Sequence, residues 1–206
     1  MIISDLKVFL LEPFGPLTFW EGMPPTYYNA ILFQVIAKNG ETGNCITWIH
    51  GGVGDINEQL PFYKKLMVGK DPHFVEEFIQ TATNGMDIPN NTASAFDIAT
   101  WDLLGKLHNQ SIYKLVGAYR NKLPAYASTF GCKTDEEYIQ LALRAKNEGF
   151  HGFKLHPYAI PDKDIRLCRA VREAVGPDFP LMIDSIYKYN RVEAMKVGRE
   201  LSELDF

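Results

Sequence analysis

Cysteine is scarce in this sequence, three residues in 206, and Cys45, Cys132 and Cys168 stand far apart. Without the paired spacing of a disulfide framework or a zinc site, they read as reduced, mostly buried thiols. Long apolar runs are missing too. Each is broken by charge within about ten residues, half of the ~20 that a membrane-spanning helix needs, which argues against a membrane partner. There is no excess of positive charge: 21 Lys and Arg face 25 Asp and Glu, for a net charge of −4. The basic residues are scattered, so no electrostatic footprint for nucleic acid exists. The first residues, Met1 to Lys7, lack the basic and then apolar pattern of a secretory signal, which predicts a cytoplasmic protein. What the sequence does have is 46% hydrophobic residues, enough to pack one large domain or two small ones.

The pattern of those residues changes along the chain. Ile2 to Leu11 and Ala30 to Lys38 alternate apolar and polar positions, and the second stretch ends in the hairpin dipeptide Asn39-Gly40, predicting an antiparallel meander. The intervening Pro13 to Tyr28 and the later Trp48 to Gly54 are rich in Gly and aromatics and read as loops. From Ile56 the apolar residues recur at helical spacing, most clearly from Thr92 to Leu107, where Phe96, Ala99, Leu103 and Leu107 mark one face. Strands followed by helices predict an α+β domain over residues 1–117. Asp97 and Asp102, inside the best-marked helix, read as structural carboxylates paired with basic groups or capping backbone.

Residues 118–206 have a different grammar. Strand candidates Pro124 to Ser128, Gly152 to His156 and Pro180 to Asp184 alternate with amphipathic helices, at a step of about thirty residues that matches one βαβ unit. Thr134 with Glu137 and Asn190 with Glu193 read as capping boxes. Ile165, Cys168, Val171 and Val175 share one helix face, which stops at Gly176-Pro177. Leu204-Asp205-Phe206 reads as the start of a fourth strand. Three parallel strands cannot close a barrel and leave an exposed edge, so the expectation is a fragment of a longer protein or a half completed by another chain.

Chemistry is concentrated at the strand ends. Side chains alternate across a strand, so Phe153 and Leu155 face the helices while Lys154 and His156 share the opposite face, with Pro157 marking the end. In a β/α barrel that is where active sites form, and a Lys or His there suits proton abstraction. One unit later Asp184 ends its strand, a hard oxygen donor suited to Mg²⁺. The competing readings are an edge strand with a solvated Lys and a surface His, and a turn or capping Asp.

These segments resemble the mandelate racemase and muconate lactonizing branch of the enolase superfamily. Ala93 to Lys106 with Tyr113 to Gly117 resemble its link between capping domain and barrel. Leu123 to Ser128, Gly152 to His156 and Leu181 to Asp184 resemble its first three barrel strands, and Gly69-Lys70-Asp71-Pro72 a capping-domain segment. The resemblance implies an α+β capping domain followed by the first β/α units of a modified (β/α)₈ TIM barrel. It also implies abstraction of the proton α to a carboxylate, with Mg²⁺ holding the enediolate, a chemistry for which the superfamily uses a Lys or His base.

Carried over, Asp184 is the first metal ligand and Lys154 neutralises the substrate carboxylate. His156 stands where relatives commonly carry a Lys base, and Ile186 stands where many carry Asn. Trp20, Trp48 and His50, in the two loops, are substrate-binding candidates of a lid; the alternative is that such aromatics pack on their own domain. The expected substrate is a small-molecule carboxylate, a sugar acid. The expected enzyme is a Mg²⁺-dependent dehydratase, with a racemase, epimerase or cycloisomerase as the alternative and a non-catalytic fragment or binding module as the third reading. The resemblance also implies a homo-oligomer. Further metal carboxylates would lie beyond Phe206, so the chain alone is expected to be inactive.

Overall fold

The computed structural model describes residues 1–12, 14–17, 26–49, 54–84 and 90–206. They divide into two compact units, the first built from residues 1–16 and 27–121 and the second from residues 122–206.

The first unit is built on one sheet, β1 (Ile3–Leu10), β2 (Phe14–Leu17), β3 (Thr26–Ala37) and β4 (Thr42–Ile49), in which β3 pairs with the other three. Both β1 and β4 run antiparallel to β3, and the expected turn at Asn39-Gly40 joins β3 to β4. From Ile31 to Ala37 buried and half-buried residues alternate strictly, so Ile31, Phe33, Val35 and Ala37 enter the core together. Helices α1 (Gly54–Met67), α2 (Val75–Thr83) and α3 (Asn90–Leu107) supply the rest of that core, and a short α4 (Ile112–Leu115) follows. Phe96 of α3 meets the Phe33 ring edge-on at 5.2 Å and lies 4.8 Å from Tyr63.

Helix α3 approaches β4 closely. A Cβ at Gly43 would sit 1.9 Å from the Ala99 carbonyl oxygen and 2.5 Å from the Leu103 nitrogen, so only glycine fits. Asp102 accepts hydrogen bonds from the Asn44 amide at 2.8 Å and from Lys106 Nζ at 2.6 Å, the structural pairing expected of it. Asp97 takes a hydrogen bond from Trp101 and is pushed up in pKa by burial, with Glu76 adding to the shift.

The two stretches read as loops are corrected in part. Residues 14–17 and 26–28 are strand, β4 continues through Ile49, and α1 begins at Gly54. Strand character there comes from backbone pairing with β3, which a composition rich in Gly, Pro and aromatics conceals.

The second unit alternates β5 (Tyr126–Ser128), α5 (Asp135–Asn147), β6 (Gly152–Leu155), α6 (Pro161–Val175), β7 (Leu181–Ile183) and α7 (Arg191–Glu203). The strands are parallel in the order β5-β6-β7, as the βαβ grammar requires. Phe153, Leu155 and Leu181 bury against Tyr138, Ala142, Leu167 and Val171 from the helices. The Asn190 capping box closes in full, with Asn190 accepting from the Glu193 amide and the Glu193 carboxylate accepting from the Asn190 amide. At α5 Thr134 accepts from the Glu137 amide, but the Glu137 carboxylate turns to the Lys133 amide instead.

Leu204 and Asp205, expected as the start of a strand, are not strand residues. Leu204 and Asp205 form a turn after α7, and the Arg172 guanidinium accounts for it by donating to both of their carbonyls, at 2.8 and 2.6 Å. Cys45 and Cys168 are buried, Cys132 is partly so, and all three are free thiols.

Candidate active site

Parallel pairing sets the heights of the side chains at the strand ends. Ser128 pairs with Lys154 and Lys154 with Met182, and the ladder runs on where the Asp184 amide donates to the Leu155 carbonyl at 2.8 Å. Pleating then turns Phe153 and Leu155 into the helix layer while Lys154 stays half-buried on the other face.

The structure brings Lys154, His156 and Asp184 together. Lys154 Nζ lies 3.1 Å from Asp184 Oδ2, and His156 Nε2 lies 3.5 Å from the same oxygen. The Lys154 hydrogen bond is the main cause of a lowered Asp184 pKa; the Ile186 amide, donating to Oδ1 at 3.1 Å, adds to it. Lys154 Nζ also stands 5.7 Å from the centre of the Tyr126 ring, which places a π-face beside the ammonium group.

His156 is held from both sides. Its Nδ1 lies 2.5 Å from the Thr129 carbonyl oxygen, and its amide donates to Thr129 Oγ1 at 3.1 Å. A carbonyl can only accept, so Nδ1 carries the proton and Nε2 is the nitrogen presented to Asp184. The buried Tyr138 hydroxyl donates to the His156 carbonyl at 2.5 Å and accepts from the Cys132 amide at 2.9 Å. Lys154 and His156 side chains are 22% and 17% exposed, against 37% for Asp184, so the cluster opens to solvent through the carboxylate.

The sequence reading missed Asp164. This carboxylate in the first turn of α6 is fully buried. Its Oδ1 accepts from the Tyr158 amide at 2.9 Å and its Oδ2 from the Tyr189 hydroxyl at 2.6 Å. It thereby ties the segment after His156 to the segment after Asp184. Burial pushes its pKa up against those hydrogen bonds. The only sequence signal was an acidic residue at a helix start, which is too common to single out.

The segment following Asp184 is strained, with Ile186 at φ 41° and Tyr187 at φ 46°. A β-branched residue in the left-handed region is an outlier, and Ile186 occupies it while donating its amide to Asp184. Of the loop candidates, Trp48 lies in β4 by its backbone, whereas Trp20 and His50 fall outside the described residues.

Mg²⁺ asks for near-octahedral oxygen coordination. Among the described residues no group of three or more His, Cys, Asp or Glu could hold a metal. Asp184 alone offers carboxylate oxygens here, one paired with an ammonium group and the other with an amide. The described residues by themselves do not fit that ion.

A sheet-and-helix unit is followed by parallel β/α units whose ionisable side chains gather at the strand ends, the place where β/α folds carry their sites. Residues 31–117 match the family described as Mandelate racemase / muconate lactonizing enzyme, N-terminal domain, and residues 137–206 match Enolase C-terminal domain-like. The chain belongs to this branch of the enolase superfamily.

D-galactarolactone cycloisomerase of Agrobacterium fabrum is 34% identical over 149 residues, covering 66% of this chain and 39% of the relative. L-Ala-D/L-Glu epimerase of Clostridium acetobutylicum is 27% identical over 207 residues, covering 98% and 56%. The crystal structure of D-glucarate dehydratase from Agrobacterium tumefaciens, complexed with magnesium, superposes with a TM-score of 0.79 at 28% identity, covering 100% of this chain and 59% of that one. The chain thus spans about half the length of the curated relatives it matches. No described helix is long and apolar enough to cross a membrane.

Proposed function

We propose that this chain is the capping part and first barrel units of an enzyme that removes the proton α to the carboxylate of a sugar acid, leading to dehydration. The observation that carries the reading is the convergence of Lys154 and His156 on Asp184 at neighbouring strand ends. Lys154 neutralises the substrate carboxylate, exchanging its pairing with Asp184 for the incoming anion. His156 takes the α proton at Nε2, because its Nδ1–H is committed to Thr129 and fixes the ring. The electron pair left on the α carbon passes into the carboxylate, and the ammonium group of Lys154 offsets part of the second negative charge. Asp184 would be one carboxylate ligand of a magnesium ion, which would supply further positive charge for the enediolate. Departure of a β-hydroxyl from the enediolate completes a dehydration; return of the proton on the other face would give racemisation or epimerisation instead.

For the polypeptide taken alone a second reading applies, that of a non-catalytic piece. It is favoured by the pairing of Asp184 with Lys154 and by the single carboxylate at the cluster. A turnover assay of these 206 residues with Mg²⁺ and acid sugars is expected to give no product, and metal-dependent turnover would overturn that reading. For the enzyme carrying a complete barrel, α-proton exchange in D₂O followed by NMR is expected with at least one acid sugar. His156→Asn should abolish the exchange, and exchange that survives this change removes His156 from the role of base.

A further inference from the structure

The first unit contains a second constellation of ionisable groups. His73 sits in the 3₁₀ turn Pro72–Phe74, capped by Asp71, and His108 follows the end of α3. Their Nε2 atoms face each other at 2.7 Å, with ring centres 5.0 Å apart and planes at 68°. On its other side the His73 ring places Nδ1 2.6 Å from Asp71 Oδ1, and Asp71 Oδ2 meets the amino terminus at 3.3 Å. The His73 amide donates to the same Asp71 Oδ1, at 3.0 Å. An ionised carboxylate accepts, which puts the proton of His73 on Nδ1 and leaves the Nε2 lone pair aimed at His108.

We propose that His73 and His108 form a two-histidine chelate for a borderline divalent cation, with Zn²⁺ the best match and Asp71 orienting His73 from behind. The rings now meet head-on through the 2.7 Å Nε2 contact, and at Zn–N distances of ~2.0–2.1 Å a shared tetrahedral ion needs both rings to turn while their centres stay ~5 Å apart. The Nε2 proton of His108 moves through solvent to its own Nδ1, leaving a neutral imidazole, and the cation takes its place as the two Nε2 atoms separate by ~0.6 Å and both rings tilt. Both side chains are exposed, so the tilt meets little packing. Carboxylate, histidine and metal in sequence is the arrangement that fixes the tautomer and raises ligand basicity in zinc proteins. Water completes the coordination. A hard cation such as Mg²⁺ gains nothing from two nitrogens, which separates this site from the cluster at the strand ends.

The test is calorimetric titration of the untagged 206-residue chain with ZnCl₂, alongside ¹H–¹⁵N correlation spectra of the imidazoles. One Zn²⁺ per chain is expected, with both His73 and His108 Nε2 resonances shifted. His73→Gln and His108→Gln should each weaken binding by about tenfold or more with unchanged circular dichroism, while His151→Gln keeps the parent affinity. MgCl₂ in the same cell should leave both imidazoles unshifted. Zn²⁺ binding equally tight in the two folded variants, or Zn²⁺ saturation that shifts neither imidazole, overturns the site.

Discussion

Asp164 and Asp184 belong to the same unit and stand in opposite environments. At the strand ends Asp184 is partly open to water and beside an ammonium group, which holds its pKa below the ordinary 3.8. At the start of α6 Asp164 has no water contact, and burial pushes its pKa above 3.8 despite hydrogen bonds from Tyr189, Tyr158 and the Ile160 backbone. The same side chain is an available anion in one place and a costly internal brace in the other. Location, and the donors that location supplies, separate the carboxylate that can meet a substrate or metal from the one that can only hold two segments together.

The comparison is tested most severely at Asp164. Asp164→Ala strands the Tyr158 amide and the Tyr189 hydroxyl without an acceptor and should cost about 3 kcal/mol in urea unfolding followed by circular dichroism. Asp164→Asn keeps an acceptor for Tyr158 and can donate to the Tyr189 oxygen, so its cost should stay below about 1 kcal/mol; equal losses in the two variants would break the distinction. Tyr189→Phe removes one donor and should cost about 1–2 kcal/mol while raising the Asp164 pKa further.

Acidity sharpens the contrast, because the two groups have opposite signs. A carboxylate whose folded pKa is raised contributes stability that is present below 3.8 and lost as pH rises through the folded value, and this is Asp164. One whose folded pKa is lowered contributes stability above 3.8 that is lost as pH falls through the folded value, and this is Asp184. The stability of the parent relative to Asp164→Asn should therefore decline from acidic toward neutral pH, measured as urea midpoints. The smallest effect belongs to Lys154→Met. It should change stability by no more than about 1 kcal/mol, the scale for a partly solvated pair, while the Asp184 carboxyl titration by ¹³C NMR moves back toward 3.8.

How much of this was legible in the sequence differs by residue. Lys154 and Asp184 could be placed because strand alternation and a regular βαβ step fix both face and height from local pattern alone. The tether of His156 to Thr129 could not, since those residues are 27 positions apart and meet only through the parallel register of β5 and β6. Asp164 was hidden for a related reason. The pattern of α6 reveals the face carrying Ile165, Cys168, Val171 and Val175, but the burial of its first turn depends on Tyr158 and Tyr189 arriving from two other segments. In β4 the alternation is blurred by the exposed Ile46 and by Gly43, whose smallness answers to the helix across from it and not to the strand. The final turn was misread because an apolar pair at a helix end looks like a strand start until Arg172 is seen to grip its carbonyls.

That contact at Gly43 bears on how the family can diversify. In a saturation library the codon for residue 43 should tolerate no replacement, whereas Gly198, with nothing within 4 Å of an added Cβ, should accept nearly all of them. A side chain can be added at position 198 without meeting a neighbour, but none can enter at position 43 unless the helix opposite shifts in the same step.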